Sequence, residues 1–406
     1  MPLEWIAGGT VTSVPGFLAS GVACGIKRSG ELDLALVVSR RPCTAAGVFT
    51  RNSFAAAPVL YDRALLAANP TGIRAVAINS GCANACTGDE GLEGARQTAA
   101  HIAAAVDCPA DAVLLMSTGV IGVCLPMECL QAGIPAAAQA LSPDGGQLAA
   151  RAIMTTDTRP KACAVRTWIR GRAIIVAGMA KGAGMIHPNM ATLLALMVTD
   201  AVATPQMLDA ILRQAVARSF NAISVDGDTS TNDTLLLLAN GLSGYPPLVE
   251  PSTPDGAALA EAVEAVAIHL AQEIVRDGEG ATRFVTVVVC GALDDADARL
   301  AATAVARSPL VKTAVYGGDP NWGRVLCAVG YSGAQVDPAR TALWFNDLPL
   351  VEGGRPLPYD EALAAEALRQ PEVTITVDLG LGAGEATVWT CDLTHGYVDI
   401  NAHYRT

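Results

Sequence analysis

The sequence predicts an α+β fold of mixed α/β layers. Helix-period and strand-like segments interleave, but without the βαβ rhythm of a doubly wound sheet. Hydrophobic residues make up 51% of the 406-residue chain and charged residues only 16%, so a large buried core is feasible. The strand candidates of the last third are joined by short connections, which favours antiparallel pairing.

Taken in order, residues 73–78 read as a strand that runs into a small-residue loop ending at Gly88. An Ala-rich helix is expected over 91–106. Residues 163–169 and 173–177 flank Arg170-Gly-Arg172 and read as a hairpin. Residues 193–198 form an apolar run of strand length. Thr204-Pro205 is a helix start, with threonine as N-cap and proline at the first helical position. Met207, Leu208, Ile211, Leu212, Ala215, Val216 and Phe220 then share one face at helical spacing. Residues 234–239 read as a strand, 257–275 as a long helix and 283–290 as a β-branched strand. The C-terminal strand candidates are 372–377, 386–391 and 397–400, with 380–384 as a hairpin turn.

The bulk numbers exclude several classes. The formal net charge is −12 and no basic run occurs, which argues against a nucleic-acid binder. No apolar stretch reaches the roughly 18 residues of a membrane span. Met1-Pro-Leu-Glu-Trp-Ile lacks the basic region and apolar core of a signal peptide, so a cytoplasmic protein is expected. The eleven cysteines include no Cys-x-x-Cys pair, and buried small apolar residues are their simplest reading. The loop 226–234 is rich in Asp but lacks the EF-hand glycine and glutamate, so no metal site is expected there. Gly380-Leu-Gly-Ala-Gly384 precedes a strand rather than a helix and fails as a dinucleotide loop.

The most informative segment is Lys181-Gly-Ala-Gly-Met-Ile-His-Pro-Asn-Met-Ala-Thr192. An internal threonine is a poor nucleophile. A threonine at a chain's N-terminus carries its own base, the α-amine, with an ordinary pKa of about 7.7–8.0. Alone, this stretch reads better as a turn before a plain strand start. It resembles, however, the cleavage segment of the ornithine acetyltransferase family, the bifunctional glutamate N-acetyltransferases of arginine biosynthesis. Further blocks carry the resemblance in family order: Asn79-Ser-Gly-Cys-Ala-Asn-Ala-Cys-Thr-Gly88, Ser117-Thr-Gly-Val-Ile-Gly122, Met154-Thr-Thr-Asp-Thr158, Asp226-Gly-Asp-Thr-Ser-Thr-Asn-Asp-Thr234, Asp277-Gly-Glu-Gly-Ala-Thr-Arg283, Asn321-Trp-Gly-Arg324 and Asn401-Ala-His-Tyr-Arg-Thr406.

The resemblance implies a self-cleaving N-terminal-nucleophile fold of the sandwich-like type. The Ala191–Thr192 bond would be cut, leaving an α chain, 1–191, and a β chain, 192–406, assembled as an α2β2 heterotetramer. Thr192 would be the nucleophile. Thr118 and Gly119, otherwise a plain Thr-Gly turn, would supply the oxyanion hole. Lys181 would contact substrate rather than sit as a solvated surface lysine. Thr155, with Thr156 as the alternative, would bind substrate next to Asp157, itself readable as a turn former. Glu279 would pair with an amino group, and Asn401 and Thr406 would close the site. The substrates implied are N-acetylornithine and glutamate, with acetyl-CoA as a further donor compatible with the resemblance. No metal and no organic cofactor is implied. Cys82 departs from the pattern, standing where a polar residue, often asparagine, is expected. His187 reads as part of the loop. The alternatives are a self-cleaving aminopeptidase or amidohydrolase that passes its acyl group to water, and an uncleaved scaffold.

Overall fold

A computed structural model describes residues 3–187 and 193–402. The chain divides into two compact units, one of Met1–Asn221 with Asp228–Ile274, the other of Ala222–Gly227 with Val275–Thr406.

The first unit is built on a mixed sheet. Its strands are β1 (Glu4–Trp5), β2 (Phe17–Val22), β3 (Leu34–Phe49), β4 (Ile73–Cys82), β5 (Val113–Val120), β6 (Lys161–Ile169), β7 (Arg172–Lys181) and β8 (Leu194–Thr199). Past the short β9 (Ile223–Ser224) of the other unit comes β10 (Thr234–Ala239). The order is β1-β6-β7-β8-β10-β3-β4-β5, with β2 against β3. The helices of this unit are α1 (Ala57–Ala68), α2 (Gly88–Val106), α3 (Met127–Gln139), α4 (Gly146–Ala152), α5 (Pro205–Arg218) and nearly all of α6 (Pro254–Arg276).

Local chemistry explains the elements. Every residue of β8 and of β10 is buried. Both are continuous apolar runs, as expected of strands covered on two faces and paired in parallel, as these two are. Arg170 and Gly171 both have positive φ, 53° and 75°. They form the two-residue turn that closes the β6–β7 hairpin with the right twist. In α5 the Thr204 hydroxyl accepts from the Met207 N–H at 3.3 Å, and Pro205 opens the helix. Its stripe from Met207 to Val216 is buried; Phe220 is buried too, but in the short turn after the helix ends at Arg218.

The second unit carries β9, β11 (Phe284–Ala292), β12 (Ala342–Phe345), β13 (Leu348–Glu352), β14 (Arg355–Pro356), β15 (Glu372–Asp378) and β16 (Gly384–Cys391). Their order is β14-β13-β12-β15-β11-β16-β9. Its helices are α7 (Asp295–Arg307), α8 (Pro309–Gly317), α9 (Trp322–Gly330), α10 (Glu361–Arg369) and α11 (His395–Ala402). Val285, Val287 and Val289 of β11 share a core with Ala298, Ala301, Ala302 and Val305 of α7. Asn321 caps α9 by accepting from the Arg324 N–H.

Two expectations are corrected in this unit. Residues 397–400 are not a strand but lie within α11. Both edges of the preceding strand β16 are already paired, to β11 and β9, so no ladder was open to them. The strands at 372–378 and 384–391 do not form a hairpin either. β11 lies between them, parallel to β15 and antiparallel to β16. The loop 380–384 bridges over β11, with the Leu381 and Gly382 N–H groups both donating to the Gly291 carbonyl.

Candidate functional site

In the first unit, β4 and β5 run parallel, with Ser80 opposite Thr118 and Gly81 opposite Gly119. The register breaks at Gly81/Cys82. Gly119 has φ of 133°, where side-chain-bearing residues are strained, and a Cβ on it would strike the Gly81 carbonyl carbon and the Cys82 nitrogen. Glycine is therefore required for the two chains to run so close. A polar frame holds the segment. Ser117 Oγ donates to Asn79 Oδ1 (2.6 Å), and Asn79 Nδ2 donates to the Cys82 carbonyl (2.9 Å). Asn232 Nδ2 donates to the carbonyls of Ala83 (2.6 Å) and Ser117 (2.8 Å). The Cys82 thiol, where a polar side chain was expected, donates to the Val123 carbonyl at 3.3 Å.

Lys181 closes β7 and is 8% exposed. Its Nζ donates to Thr118 Oγ1 at 3.3 Å, joining two residues 63 positions apart. A hydroxyl that accepts from an ammonium turns its own O–H away, towards any acceptor in front of it. Lys181 is thus buried at the site and not solvated.

Behind Lys181 lies an ion cluster. Lys161 Nζ and Asp157 Oδ1 are 2.7 Å apart, with both side chains fully shielded from solvent. The Gly182 N–H donates to Asp157 Oδ1 (2.7 Å) and the Thr155 N–H to Oδ2 (3.0 Å). Burial alone would raise the Asp157 pKa; the charges of Lys181 and Lys161, with these hydrogen bonds, outweigh it and hold the carboxyl down at about 2. Lys27 Nζ donates to the carbonyls of Met154 (2.7 Å) and Leu32 (2.8 Å). Burial lowers the Lys27 pKa, and the charges of Glu31, Asp33 and, less, Asp157 partly offset this. Lys181 and Lys161 thus act together on one ionised carboxylate, while Lys27 stands close to the acids Glu31, Asp33 and Asp157. Asp157 is more than the turn former its sequence context suggests. Sequence reasoning missed Lys27 and Lys161. Lys161 opens a strand whose next buried positions are apolar, and a lysine on such an inward face was the available signal.

Ala191 and Thr192 lie outside the described residues. Their downstream neighbours are well defined. Leu194 pairs with Lys181 on one side and Thr234 on the other. The Thr234 N–H donates to the Leu193 carbonyl at 3.1 Å. Asp233, 1% exposed, accepts from the Leu193 N–H and from Thr50; burial drives its pKa well above the usual carboxylate range. Its Oδ2 has no partner among the described residues. Asp233 and Asn232 both sit in the block 226–234, read from sequence only as a structural loop.

In the second unit, Glu279 is 7% exposed, and Asn401 Nδ2 donates to its Oε2 at 2.7 Å. Two predicted site residues 122 positions apart are therefore in contact. Thr394 Oγ1 donates to the Gly280 carbonyl (2.7 Å), which ties the start of α11 to the Glu279 loop. Gly280 has φ of 69°, and a Cβ there would collide with the Tyr397 nitrogen. Thr406 lies outside the described residues. Among the described residues no cluster of His, Cys, Asp and Glu is arranged to hold a metal ion, and no helix is long and apolar enough to cross a membrane.

This mixed α/β frame, with a hydroxyl and a tight Thr-Gly backbone set against a buried cationic cluster, has the makings of an acyl-transfer enzyme for charged small molecules. The chain belongs to the ArgJ family, whose model matches residues 18–406. It is 54% identical over 407 residues to the arginine biosynthesis bifunctional protein ArgJ of Symbiobacterium thermophilum, covering 100% of both chains. It is 52% identical over 396 residues to the protein of that name from Geobacter sulfurreducens, covering 97% of this chain and 100% of the relative. The crystal structure of the Bacillus halodurans arginine biosynthesis bifunctional protein ArgJ is 40% identical, with a TM-score of 0.50. It matches 51% of this chain and 97% of its own, so that solved chain is about half as long as this one.

Proposed function

We propose that this chain is a glutamate N-acetyltransferase of arginine biosynthesis that first cuts itself between Ala191 and Thr192. The Thr192 hydroxyl attacks the Ala191 carbonyl, the acyl group passes from nitrogen to oxygen, and water releases the two fragments, 1–191 and 192–406. The freed α-amine then serves as the base for the Thr192 hydroxyl. Thr192 takes the acetyl group from N-acetylornithine, ornithine leaves, and the acetyl-threonine ester passes its acetyl group to the glutamate amine. Thr118 and the Gly119 backbone stabilise the oxyanion at each step. Lys181, Thr155, Glu279, Asn401 and Thr406 are each expected to contact a substrate. A nearby ammonium also favours the uncharged form of the α-amine through like-charge repulsion.

The observation that carries this reading is the placement of Lys181. It donates to Thr118 and stands opposite Leu194, two residues past the proposed nucleophile. The half-length chain of the Bacillus halodurans relative supports cleavage. β7, upstream of the cut, and β8, downstream, pair from Lys181↔Leu194 to Val176↔Thr199, so the fragments are expected to stay associated. An α2β2 assembly without metal or organic cofactor completes the proposal, with the cytoplasm as its location.

The test is intact mass with N-terminal sequencing. Two fragments, the second beginning at Thr192, and a mass gain of one acetyl group on that fragment after incubation with N-acetylornithine are expected. A Thr192→Ala variant that is still cut at this bond would overturn the self-cleavage mechanism. Acetyl release to water, with glutamate ignored, would identify a hydrolase instead.

A further inference from the structure

The proposed oxyanion residues, Thr118 and Gly119, lie near the end of β5, which closes the order of its sheet and pairs with β4. An edge strand is held by a ladder along one side only. Asn232, 5% exposed, adds a tie at this end. Its amide nitrogen donates to the Ala83 carbonyl, just past β4, and to the Ser117 carbonyl of β5, 149 and 115 positions away. Its Oδ1 accepts from the Thr231 hydroxyl at 2.6 Å. That bond fixes which end of the amide faces the two carbonyls, since an oxygen turned towards them would find no donor. The Ser117 carbonyl belongs to the peptide unit that carries the Thr118 nitrogen, so holding it sets the plane of that unit. The Thr118 hydroxyl and the Gly119 N–H follow directly along the chain and are aimed from that plane.

Asn232 is itself firmly seated. The Thr50 N–H donates to the Asp233 carbonyl at 2.9 Å, and the Ala56 N–H to the Thr231 carbonyl at 2.8 Å. The Thr50 hydroxyl donates to the Ser230 carbonyl at 2.8 Å. Thr234, at the start of β10, pairs with Leu194 at the start of β8. One short segment therefore reaches the oxyanion strand with a side chain and the strand after Thr192 with its backbone. On the proposed cut the segment belongs to the 192–406 fragment, whereas Ala83, Ser117 and Thr118 belong to 1–191.

We propose that Asn232 is a positioning residue for acetyl transfer, strapping the oxyanion segment of one fragment to the nucleophile strand of the other. The proposal rests on the acetyl-transfer reading for its reaction. Asn232 acts through the backbone at Ser117 and not on a substrate, so its loss falls on kcat and spares KM. A displacement of about 1 Å between reacting groups costs on the order of 100-fold in rate, and the loss of one oxyanion donor costs about 100- to 1,000-fold.

Asn232→Asp keeps the shape of the side chain but turns an oxygen towards the two carbonyls. Active sites are counted by mass, as 192–406 fragment acetylated after full incubation with N-acetylornithine, so uncut or misfolded protein does not enter the rate. For acetylornithine–glutamate exchange, kcat per counted site is expected to fall about 100-fold, with KM for both substrates within about two-fold of wild type. Hydrogen exchange should quicken in the amides of β5 and stay unchanged in those of β10. Thr231→Val, which releases the amide from its fixed orientation, should lower kcat about ten-fold. Fewer active sites with wild-type kcat per site is what a merely structural residue would give, and would overturn the proposal. So would a KM that rises as kcat falls, or unchanged hydrogen exchange in β5. If Asn232→Asp does not fold, Thr231→Val decides, and wild-type kcat there overturns the proposal. A wild type that neither cuts itself nor exchanges acetyl groups refutes the acetyl-transfer reading instead; hydrogen exchange in β5 of the two variants then still tests the strap.

Discussion

Asp157→Asn tests the ion cluster behind Lys181. The substitution keeps shape and one acceptor oxygen but removes the charge. In the wild type the carboxyl is held at about 2, against 3.8 when unperturbed. A difference of nearly two pKa units corresponds to roughly 2–3 kcal/mol of stability. The sign follows from the folded pKa being depressed. That stability is fully present above about pH 4 and is lost as pH falls through about 2. Asparagine also leaves Lys161, fully shielded, without its carboxylate at 2.7 Å, and breaking a buried pair from one side costs about 3–5 kcal/mol. Urea unfolding at neutral pH is therefore expected to show a loss of about that size. Between pH 4 and 2 the variant should lose less stability than the wild type. Adding Lys161→Met to Asp157→Asn should recover part of the loss, because the fully shielded Lys161 charge is then removed as well. An Asp157→Asn protein within about 0.5 kcal/mol of wild type, with an unchanged acid profile, would refute the account of this cluster.

Gly119→Ala is expected to abolish acetyl transfer and destabilise the fold by at least about 1–3 kcal/mol, because φ of 133° and the Gly81–Cys82 backbone both exclude a Cβ; wild-type activity and melting temperature would contradict this. Asp233→Asn should be nearly neutral in stability at low pH, since burial keeps the native carboxyl protonated well above the usual range. Because that folded pKa is raised, wild-type stability should fall as pH climbs from about 4 towards it, whereas the variant's should not; parallel pH–stability curves would count against a neutral Asp233. Asn401→Ala removes the 2.7 Å bond to Glu279 and should raise KM for the amino-acid substrates about ten-fold, with cleavage at Thr192 unaffected. An unchanged KM would remove Asn401 from the site.

Much of the fold was legible because its elements carry local signals. Thr204-Pro205 begins a helix wherever an apolar stripe follows it. The leucine run of β10 and the apolar run of β8 announce buried strands of the right length. The failures came where local pattern competed with a neighbour's hydrogen bonds. Tyr397–Ile400 alternates like a strand, yet β16 had no free edge to offer it. The strands at 372 and 384 look like hairpin partners, but β11, some 80 residues earlier in the chain, separates them.

The candidate site divides in the same way. Thr118-Gly119, Lys181 and Glu279 stand in blocks that the family resemblance marks without any structure. Lys27, Lys161 and Asp233 do not, because a lysine or aspartate in sequence carries no sign of whether it faces water. By itself the sequence determined the family, the nucleophile to examine and the positions of most elements, since these depend on residue types at short spacing. Only the tertiary structure decided which charges share a buried space. The 3.3 Å contact between Lys181 and Thr118, 63 residues apart, and the pairing of Lys181 and Lys161 with Asp157 exist because sheet pairing brings distant strand ends together, and burial then gives those charges their energetic weight.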